Sequence, residues 1–390
     1  MRKKISVLTA TRAEYGLLKP IILALQSIDE FEVEVVVTGA HLSPEFGLTY
    51  QEIEKDNIKI GKKIEILMSS DTSVAISKSM GLAMISFAEY FDEKKPDALL
   101  VLGDRYEALA VCCVAMNAQI PIIHLYGGET TEGAIDEAVR HSITKMSYLH
   151  FTSTEQYRKR VIQLGEHPDR VFDVGAVGIE NIKNMKLLSK EELQESIQFT
   201  LDKPYVVVTF HPVTLEKENA GEQFQEILSA FDRYQDFIFI FTKANADANG
   251  RIINKMIDEY VLKHGNAVAF DSLGQLRYLS ALKYADMVIG NSSSGLVEVP
   301  SFKIPTVNIG DRQKGRMQAE TVINCQPVEQ EVYEAMLRAD SAEFRKKIKE
   351  VENPYGDGNT SAKIVEVLKQ YFIGQEVDLK KKFYDIFDVN

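Results

Sequence analysis

Short β-branched runs alternate with longer amphipathic stretches along most of the chain, the joint signature of strands and helices in βαβ units. Apolar runs at 5–10, 33–38, 98–102, 120–125, 149–152 and 171–174 predict strands, and the stretches 15–28, 72–91, 106–116 and 135–146 predict helices between them. The rhythm breaks over 175–190 and resumes with runs at 205–210, 237–241, 267–270, 287–289 and 306–309. The fold class is therefore α/β, with two Rossmann-like, doubly wound parallel-sheet domains at 1–180 and 190–372. The segment 361–372 reads as a helix closing the second domain, with Ser361 as its N-cap. The tail 373–390 carries Phe383, Tyr384 and Phe387, and is expected to pack back on the body.

In open parallel sheets ligands lie beyond the carboxyl ends of the strands, so the residues after each run are the candidates for chemistry. After the first run come Thr11, Arg12, Ala13, Glu14, Tyr15 and Gly16; later runs lead into Gly103-Asp104-Arg105 and Gly127-Gly128-Glu129. The second half offers His211-Pro212, Lys243-Ala244-Asn245-Ala246-Asp247, the turn Gly290-Asn291-Ser292-Ser293-Ser294-Gly295 and Gly310-Asp311-Arg312-Gln313. The two rims predict a cleft between the domains.

Composition narrows the ligand. The 390 residues are 45% hydrophobic and 26% charged, the balance of a globular chain rather than a disordered one. Lys+Arg 45 against Asp+Glu 57 gives −12, which leaves no basic field for nucleic acid, although a few arginines can still hold a small anion. No apolar run approaches the ~20 residues that span a bilayer. The three cysteines form no Cys-x-x-Cys pair and fit a reducing cytoplasm. The seven histidines make no close group with them, so no metal site is expected.

The rim residues point to an anionic ligand and to acid-base chemistry. Two glycines and three serines over 290–295 suit a phosphate pair, bound by free N–H groups, hydroxyls and a helix start; ordinary capping would need one serine. Arg12 stands where a dinucleotide-binding fold would carry Gly-x-Gly-x-x-Gly, and the missing fingerprint argues against a nicotinamide or flavin. Asp104, Glu129 and Asp136 would crowd one rim, where carboxylates shift one another's proton affinity and can divide acid and base roles. Spacing alone makes Asp136 an i,i+4 partner of Arg140, and Glu298 a surface charge. His211 at a strand end suits donation to a phosphate or a leaving group.

The set of motifs resembles the hydrolysing UDP-N-acetylglucosamine 2-epimerases of sialic-acid biosynthesis. The matches are Thr-Arg-Ala-Glu-Tyr-Gly at 11–16, Leu-Gly-Asp-Arg at 102–105, Gly-Gly-Glu at 127–129 and Asp-Glu-Ala-Val-Arg-His-Ser-Ile-Thr-Lys at 136–145. His-Pro at 211–212, Gly-Asn-Ser-Ser-Ser-Gly at 290–295 and Gly-Asp-Arg-Gln-Lys-Gly-Arg at 310–316 continue them in order. The resemblance implies a GT-B architecture, no cofactor and no metal. It implies UDP contacts from His211, Asn245, Ser292, Ser293, Glu298 and Arg312, with Arg12 and Ala13 reaching from the first domain. Tyr15, Arg105, Ser294 and Gly295 complete the implied binding set, and Asp104, Glu129, Asp136 and His211 the catalytic one. The implied reaction expels UDP and removes the C2 proton to leave 2-acetamidoglucal, then adds water at C1 and a proton to the opposite face of C2. N-acetylmannosamine and UDP result, and the sequence leaves open which carboxylate is the base. A homodimer or homotetramer is implied as well.

The non-hydrolysing relatives' Glu-Ala-Gly-Leu-Arg stretch is replaced here by Gly-Gly-Glu-Thr-Thr-Glu-Gly, which favours the hydrolysing branch. The main alternative is the hydrolysing 2-epimerase that acts on UDP-N,N'-diacetylbacillosamine towards legionaminic acid. A UDP-sugar glycosyltransferase, a nucleotide-sugar sensor and a dinucleotide oxidoreductase follow in that order.

Overall fold

The computed structural model describes residues 2–68, 70, 72–130, 135–211, 220–243 and 250–387. The chain divides into two units, one of Met1–Asn181 with Tyr355–Asn390 and one of Ile182–Pro354. The first holds β1 (Lys3–Thr9), α1 (Arg12–Gln26), β2 (Phe31–Thr38), α2 (Tyr50–Lys55), β3 (Ile60–Ile64), α3 (Ser73–Lys94) and β4 (Ala98–Leu102). It continues through α4 (Tyr106–Asn117), β5 (Ile122–Leu125), α5 (Ile135–Met146), β6 (Leu149–Thr152), α6 (Glu155–Gln163) and β7 (Val171–Asp173). Its strands form one parallel sheet in the order β3-β2-β1-β4-β5-β6-β7.

Strand alternation divides the first core into two layers. Ile5, Val7, Val35, Val37 and Leu100 pack with Leu18, Ile21 and Leu25 of α1, whereas Leu8, Val36, Leu99 and Val101 pack with Phe87 of α3 and Val111 of α4. The edge strand β3 was not predicted, because Gly61, Lys62 and Lys63 mask its apolar ends. Exposed lysines on an edge also discourage pairing with another chain.

The second unit contains the end of α7 (Val177–Asn184) and α8 (Lys190–Ile197), then β8 (Tyr205–Thr209), α9 (Ala220–Asp232), β9 (Ile238–Thr242), α10 (Gly250–Lys263) and β10 (Ala267–Phe270). α11 (Gly274–Tyr284), β11 (Met287–Gly290), α12 (Ser294–Val297), β12 (Thr306–Ile309), β13 (Val322–Cys325), α13 (Glu329–Asp340) and α14 (Ala342–Lys347) complete it. The parallel order is β10-β9-β8-β11-β12-β13. Both sheets are doubly wound, as the alternation predicts, with winding reversing between β1 and β4 and between β8 and β11. β13, like β3, is an unpredicted edge strand with polar residues inside it.

The last helix, α15 (Thr360–Phe372), corrects the predicted boundary. It lies in the first unit, where Ile364, Leu368 and Phe372 are fully buried beside α1. Burial of each such side chain contributes about 1.5–3 kcal/mol, which holds α15 to the first unit. Ser361 is not the N-cap either: the helix begins at Thr360, and the Ser361 N–H donates to Glu180 Oε2 at 2.7 Å.

The tail lies on the first unit, held by polar contacts rather than by burial of its phenylalanines, since Phe383 is 65% and Phe387 77% exposed. Tyr384 N–H donates to Gly165 O at 3.0 Å, and Lys381 Nζ reaches Ser147 O at 2.8 Å and Glu166 Oε2 at 2.5 Å. Glu166 is buried and also meets Lys145 at 2.6 Å and His150 at 3.0 Å, so the tail's lysine helps neutralise it. Among the described residues, no helix is long and apolar enough to cross a membrane.

Candidate active site

Thr11 caps α1 in a capping box: its hydroxyl accepts the Glu14 N–H at 3.3 Å, and Glu14 Oε2 accepts the Ala10 and Thr11 N–H groups at 2.7 and 3.1 Å. Burial pushes the Glu14 carboxyl up to about 7, against the pull of the Ala10 N–H and of Arg105. Arg12 and Ala13 are exposed at this rim, with Arg12 Nε 3.1 Å from Glu52 Oε2. Tyr15 departs from the expected binding role. It is 3% exposed inside the core, and its hydroxyl donates to Asp56 Oδ2 at 2.6 Å, because its place on α1 faces the sheet.

Beyond β4, Asp104 and Arg105 leave the sheet in different directions. Arg105 makes a bidentate pair with Glu107 at 3.2 and 3.0 Å, and Glu107 is fully buried. Asp104 Oδ2 accepts from Arg140 Nη2, and the Arg140 side chain is almost wholly buried. Arg140 Nη1 also donates to Glu129 O at 2.8 Å and to Glu137 Oε2 at 3.0 Å. One guanidinium thus ties together the segments after β4 and β5 and the first turn of α5.

Glu129 Oε1 accepts from Ser153 Oγ at 2.8 Å. Gly128, at φ +80°, approaches α6 so closely that a Cβ there would lie 2.4 Å from Tyr157 O. That approach is what brings Glu129 to the rim. Asp136 lies in the first turn of α5. Burial raises its carboxyl above the ordinary range, and the nearby Asp104 charge adds to the effect. The expected i,i+4 pairing is replaced in Arg140's contacts by Glu137, one position along the helix, and by Asp104.

In the second unit, the His211 N–H donates to Asn291 Oδ1 at 2.8 Å, and Asn291 Nδ2 donates back to His211 O at 2.7 Å. A Cβ on Gly290 would stand 1.9 Å from Thr209 O, so β8 and β11 close together only because residue 290 is glycine. The Asn291 carbonyl accepts from Arg312 Nη1 at 2.8 Å and from Gln313 Nε2 at 2.9 Å. Ser292 Oγ accepts the Ser294 N–H at 3.4 Å, and Ser294 Oγ accepts the Tyr278 hydroxyl at 2.8 Å. Gly295 packs against Thr306, whose hydroxyl donates to its carbonyl at 2.9 Å. Ser293 precedes α12 without a side-chain cap, and Glu298 follows it with its carboxyl raised by burial. The helix is four residues long, so the expected dipole is small and the N–H groups and hydroxyls of the turn are its main resource.

The structure therefore gathers Asp104, Arg105, Glu129 and Asp136 at one sheet's carboxyl end, and His211, Ser292–Ser294, Glu298 and Arg312 at the other's. Asn245 lies outside the described residues, as do Pro212, Ala244, Ala246 and Asp247. Sequence reasoning missed Arg140, Asn291 and Glu107, of which Arg140 and Asn291 stand inside quoted motifs. Among the described residues, no group of three or more His, Cys, Asp or Glu could hold a metal ion.

Comparison with known proteins identifies the family. The family model described as UDP-N-acetylglucosamine 2-epimerase matches residues 23–369. The chain belongs to that family. A relative from Campylobacter jejuni, named GDP/UDP-N,N'-diacetylbacillosamine 2-epimerase (hydrolyzing), is 46% identical over 345 residues, 88% of this chain and 89% of its own. Polysialic acid biosynthesis protein P7 from Escherichia coli is 40% identical over 387 residues, 98% of each chain. The crystal structure of the Neisseria meningitidis UDP-GlcNAc 2-epimerase, bound to UDP-GlcNAc, is 22% identical, with a TM-score of 0.75 over 94% of this chain and 100% of that one. That likeness gives the epimerase family's fold here, two Rossmann-like units of the GT-B type.

Proposed function

We propose that the chain is a hydrolysing 2-epimerase of a UDP-linked 2-acetamido sugar. It would release UDP and the sugar inverted at C2. The observation that carries the reading is the three-carboxylate rim organised by Arg140, combined with 46% identity to a protein named as a hydrolysing 2-epimerase. The resident groups suffice for the chemistry, and no cofactor is called for.

The C2 proton is weakly acidic, so departure of UDP runs ahead of its removal and leaves oxocarbenium-like charge at C1. Asp104, fixed by Arg140, and Glu129, fixed by Ser153, would stabilise that charge. Asp136, whose proton affinity burial and the Asp104 charge raise above that of an ordinary aspartate, would take the proton at C2. Loss of that proton and of UDP gives the 1,2-glycal. Water then adds its oxygen to C1 and gives one proton to a rim carboxylate, while a rim carboxyl group other than Asp136 delivers a proton to the opposite face of C2 and the proton held by Asp136 returns to solvent. His211, Arg312 and the serine turn would hold the diphosphate, with Arg12 and Arg105 as further cations.

For the sugar we assign N,N'-diacetylbacillosamine, on the 46% identity to the Campylobacter protein. The second reading, UDP-N-acetylglucosamine, is supported by the family model described as UDP-N-acetylglucosamine 2-epimerase, which matches residues 23–369. A proton NMR time course in D2O with each UDP-sugar, and with GDP-linked diacetylbacillosamine, tests both without an acceptor. Release of nucleotide and of C2-deuterated, C2-inverted sugar is expected from the diacetylbacillosamine compound. Turnover of UDP-N-acetylglucosamine alone would replace the sugar, and release only when an acceptor is added would replace the reaction class.

A further inference from the structure

On the side of the first sheet that packs against α3 and α4, the strand positions Leu99, Val101 and Ile122 are aliphatic and buried. His124 falls on the same side of β5, two residues after Ile122, and pairs in register with Val101 of β4. It is fully buried. A valine or isoleucine would fill that layer with no polar group to satisfy, so an imidazole there calls for partners that need it.

The partners are the segments that carry the rim. His124 Nε2 lies 2.8 Å from the carbonyl oxygen of Gly103, and Nδ1 lies 3.4 Å from Thr144 Oγ1. A carbonyl only accepts, so the ring proton sits on Nε2 and Nδ1 is left as an acceptor. Burial pushes the pKa of the ring down to about 3, which keeps it neutral and Nδ1 without a proton. Gly127 lies against the same edge: a Cβ there would stand 3.2 Å from His124 Nδ1 and 3.2 Å from Thr144 Oγ1. The Thr144 hydroxyl also donates to Arg140 O at 3.0 Å. One ring therefore touches the residue before Asp104, the turn that leads to Glu129, and the helix turn that follows Arg140.

Gly103 is where the chain bends out of β4, at φ +78°. Apart from its chain neighbours, no described atom lies within 4 Å of where its Cβ would be, so packing on that side does not set the bend. Its N–H donates to Leu125 O at 3.0 Å, and its carbonyl is held by His124.

We propose that His124 is a positioning residue for Asp104. By holding the Gly103 carbonyl it sets the direction in which the chain leaves β4, and with it the point at which the Asp104 carboxylate meets Arg140 and faces the sugar's C1. The part in catalysis rests on the 2-epimerase reading above; the placement of Asp104 does not.

Two amide substitutions on the full chain test this. His124→Gln can bring an N–H to the place of the Nε2 proton, whereas the shorter His124→Asn falls short of Gly103 O. His124→Asn should lower kcat about 10²-fold with KM changed less than about threefold, and His124→Gln should stay within about fivefold of the wild type in kcat. The second readout needs no turnover: aspartate carboxyl 13C NMR, with the Asp104 signal assigned by its absence from Asp104→Asn. That signal should move in His124→Asn and return in His124→Gln. Equal loss of kcat in both variants would make His124 a packing residue and overturn the proposal, as would an Asp104 signal unmoved in His124→Asn. If His124→Asn does not fold, a folded His124→Gln decides alone: near wild-type kcat supports the proposal, and a 10²-fold loss overturns it. A wild type that turns over no UDP-sugar overturns the reaction, and the carboxyl signal then decides the placement.

Discussion

His211 and Asn291 bond each other twice, backbone N–H to Oδ1 and Nδ2 to backbone carbonyl, at 2.8 and 2.7 Å across the point where the second sheet reverses its winding. The Asn291 side chain does for two loop ends what a strand ladder does further down. Since Asn291 is 1% exposed, no water replaces it readily. Asn291→Ala should lower stability by about 2–3 kcal/mol, as two partners lose their bonds in a buried setting. UDP affinity should fall at least tenfold with it. Urea unfolding and calorimetric titration with UDP check both, and unchanged UDP affinity would remove the loop pair from the nucleotide site.

Arg140 is the corresponding organiser in the first unit. Arg140→Gln should reduce kcat by roughly 10²–10⁴-fold through misplacement of Asp104 and the Glu129 backbone, with a much smaller change in KM. Because it leaves Asp104 short of its partner, a loss of several kcal/mol in stability should accompany it. Asp104→Asn should match the kinetic loss with a smaller stability change. Steady-state kinetics and thermal melts on the two variants separate the effects.

Asp136 binds its proton more tightly than an ordinary aspartate, through burial first and the Asp104 charge second. If its ionised form takes the C2 proton, activity should rise with pH through that elevated value, placing the acid limb of kcat/KM above the usual carboxylate range. Asp136→Glu should keep activity with a displaced limb, and Asp136→Asn should abolish turnover while retaining UDP. A pH–rate profile that is unchanged in Asp136→Glu would assign the proton transfer to another group.

Glu14 gives a stability prediction with a definite sign. Its folded carboxyl is raised from 4.5 to about 7, so its contribution is fully present below pH 4.5 and is lost as pH rises through 7. By linkage that loss amounts to about 3 kcal/mol. Glu14→Gln keeps the cap but does not titrate, so the stability difference between wild type and variant should drift by that amount between pH 4.5 and 8. Parallel pH-dependent unfolding curves would show that Glu14 does not titrate there.

Most of the interior strands and the rim residues were legible because parallel strands buried on both faces are continuous apolar runs, and chemistry clusters where those runs end. β3 and β13 were hidden by the polar residues that edge strands carry. Tyr15 stood in a rim motif, yet its position on the inward side of α1 makes it a core residue, and a motif does not record which way each member faces. Arg140 was legible as a partner for Asp136 by spacing, but its reach to Asp104, 36 positions away in sequence, depends on how α5 lies against β4. Glu107 gave no signal at all, since a carboxylate two residues from an arginine reads as solvated surface.

The return of α15 to the first unit bears on how the protein is made. As the chain leaves the ribosome, residues 182–354 emerge as one uninterrupted unit and can fold while synthesis continues. The first unit, although it begins at the amino terminus, lacks Ile364, Leu368 and Phe372 until the final residues are translated. Its nascent sheet must wait with the α1 layer incompletely covered, so a chain that stops after residue 354 but before α15 would carry a complete second unit attached to an unfinished first one.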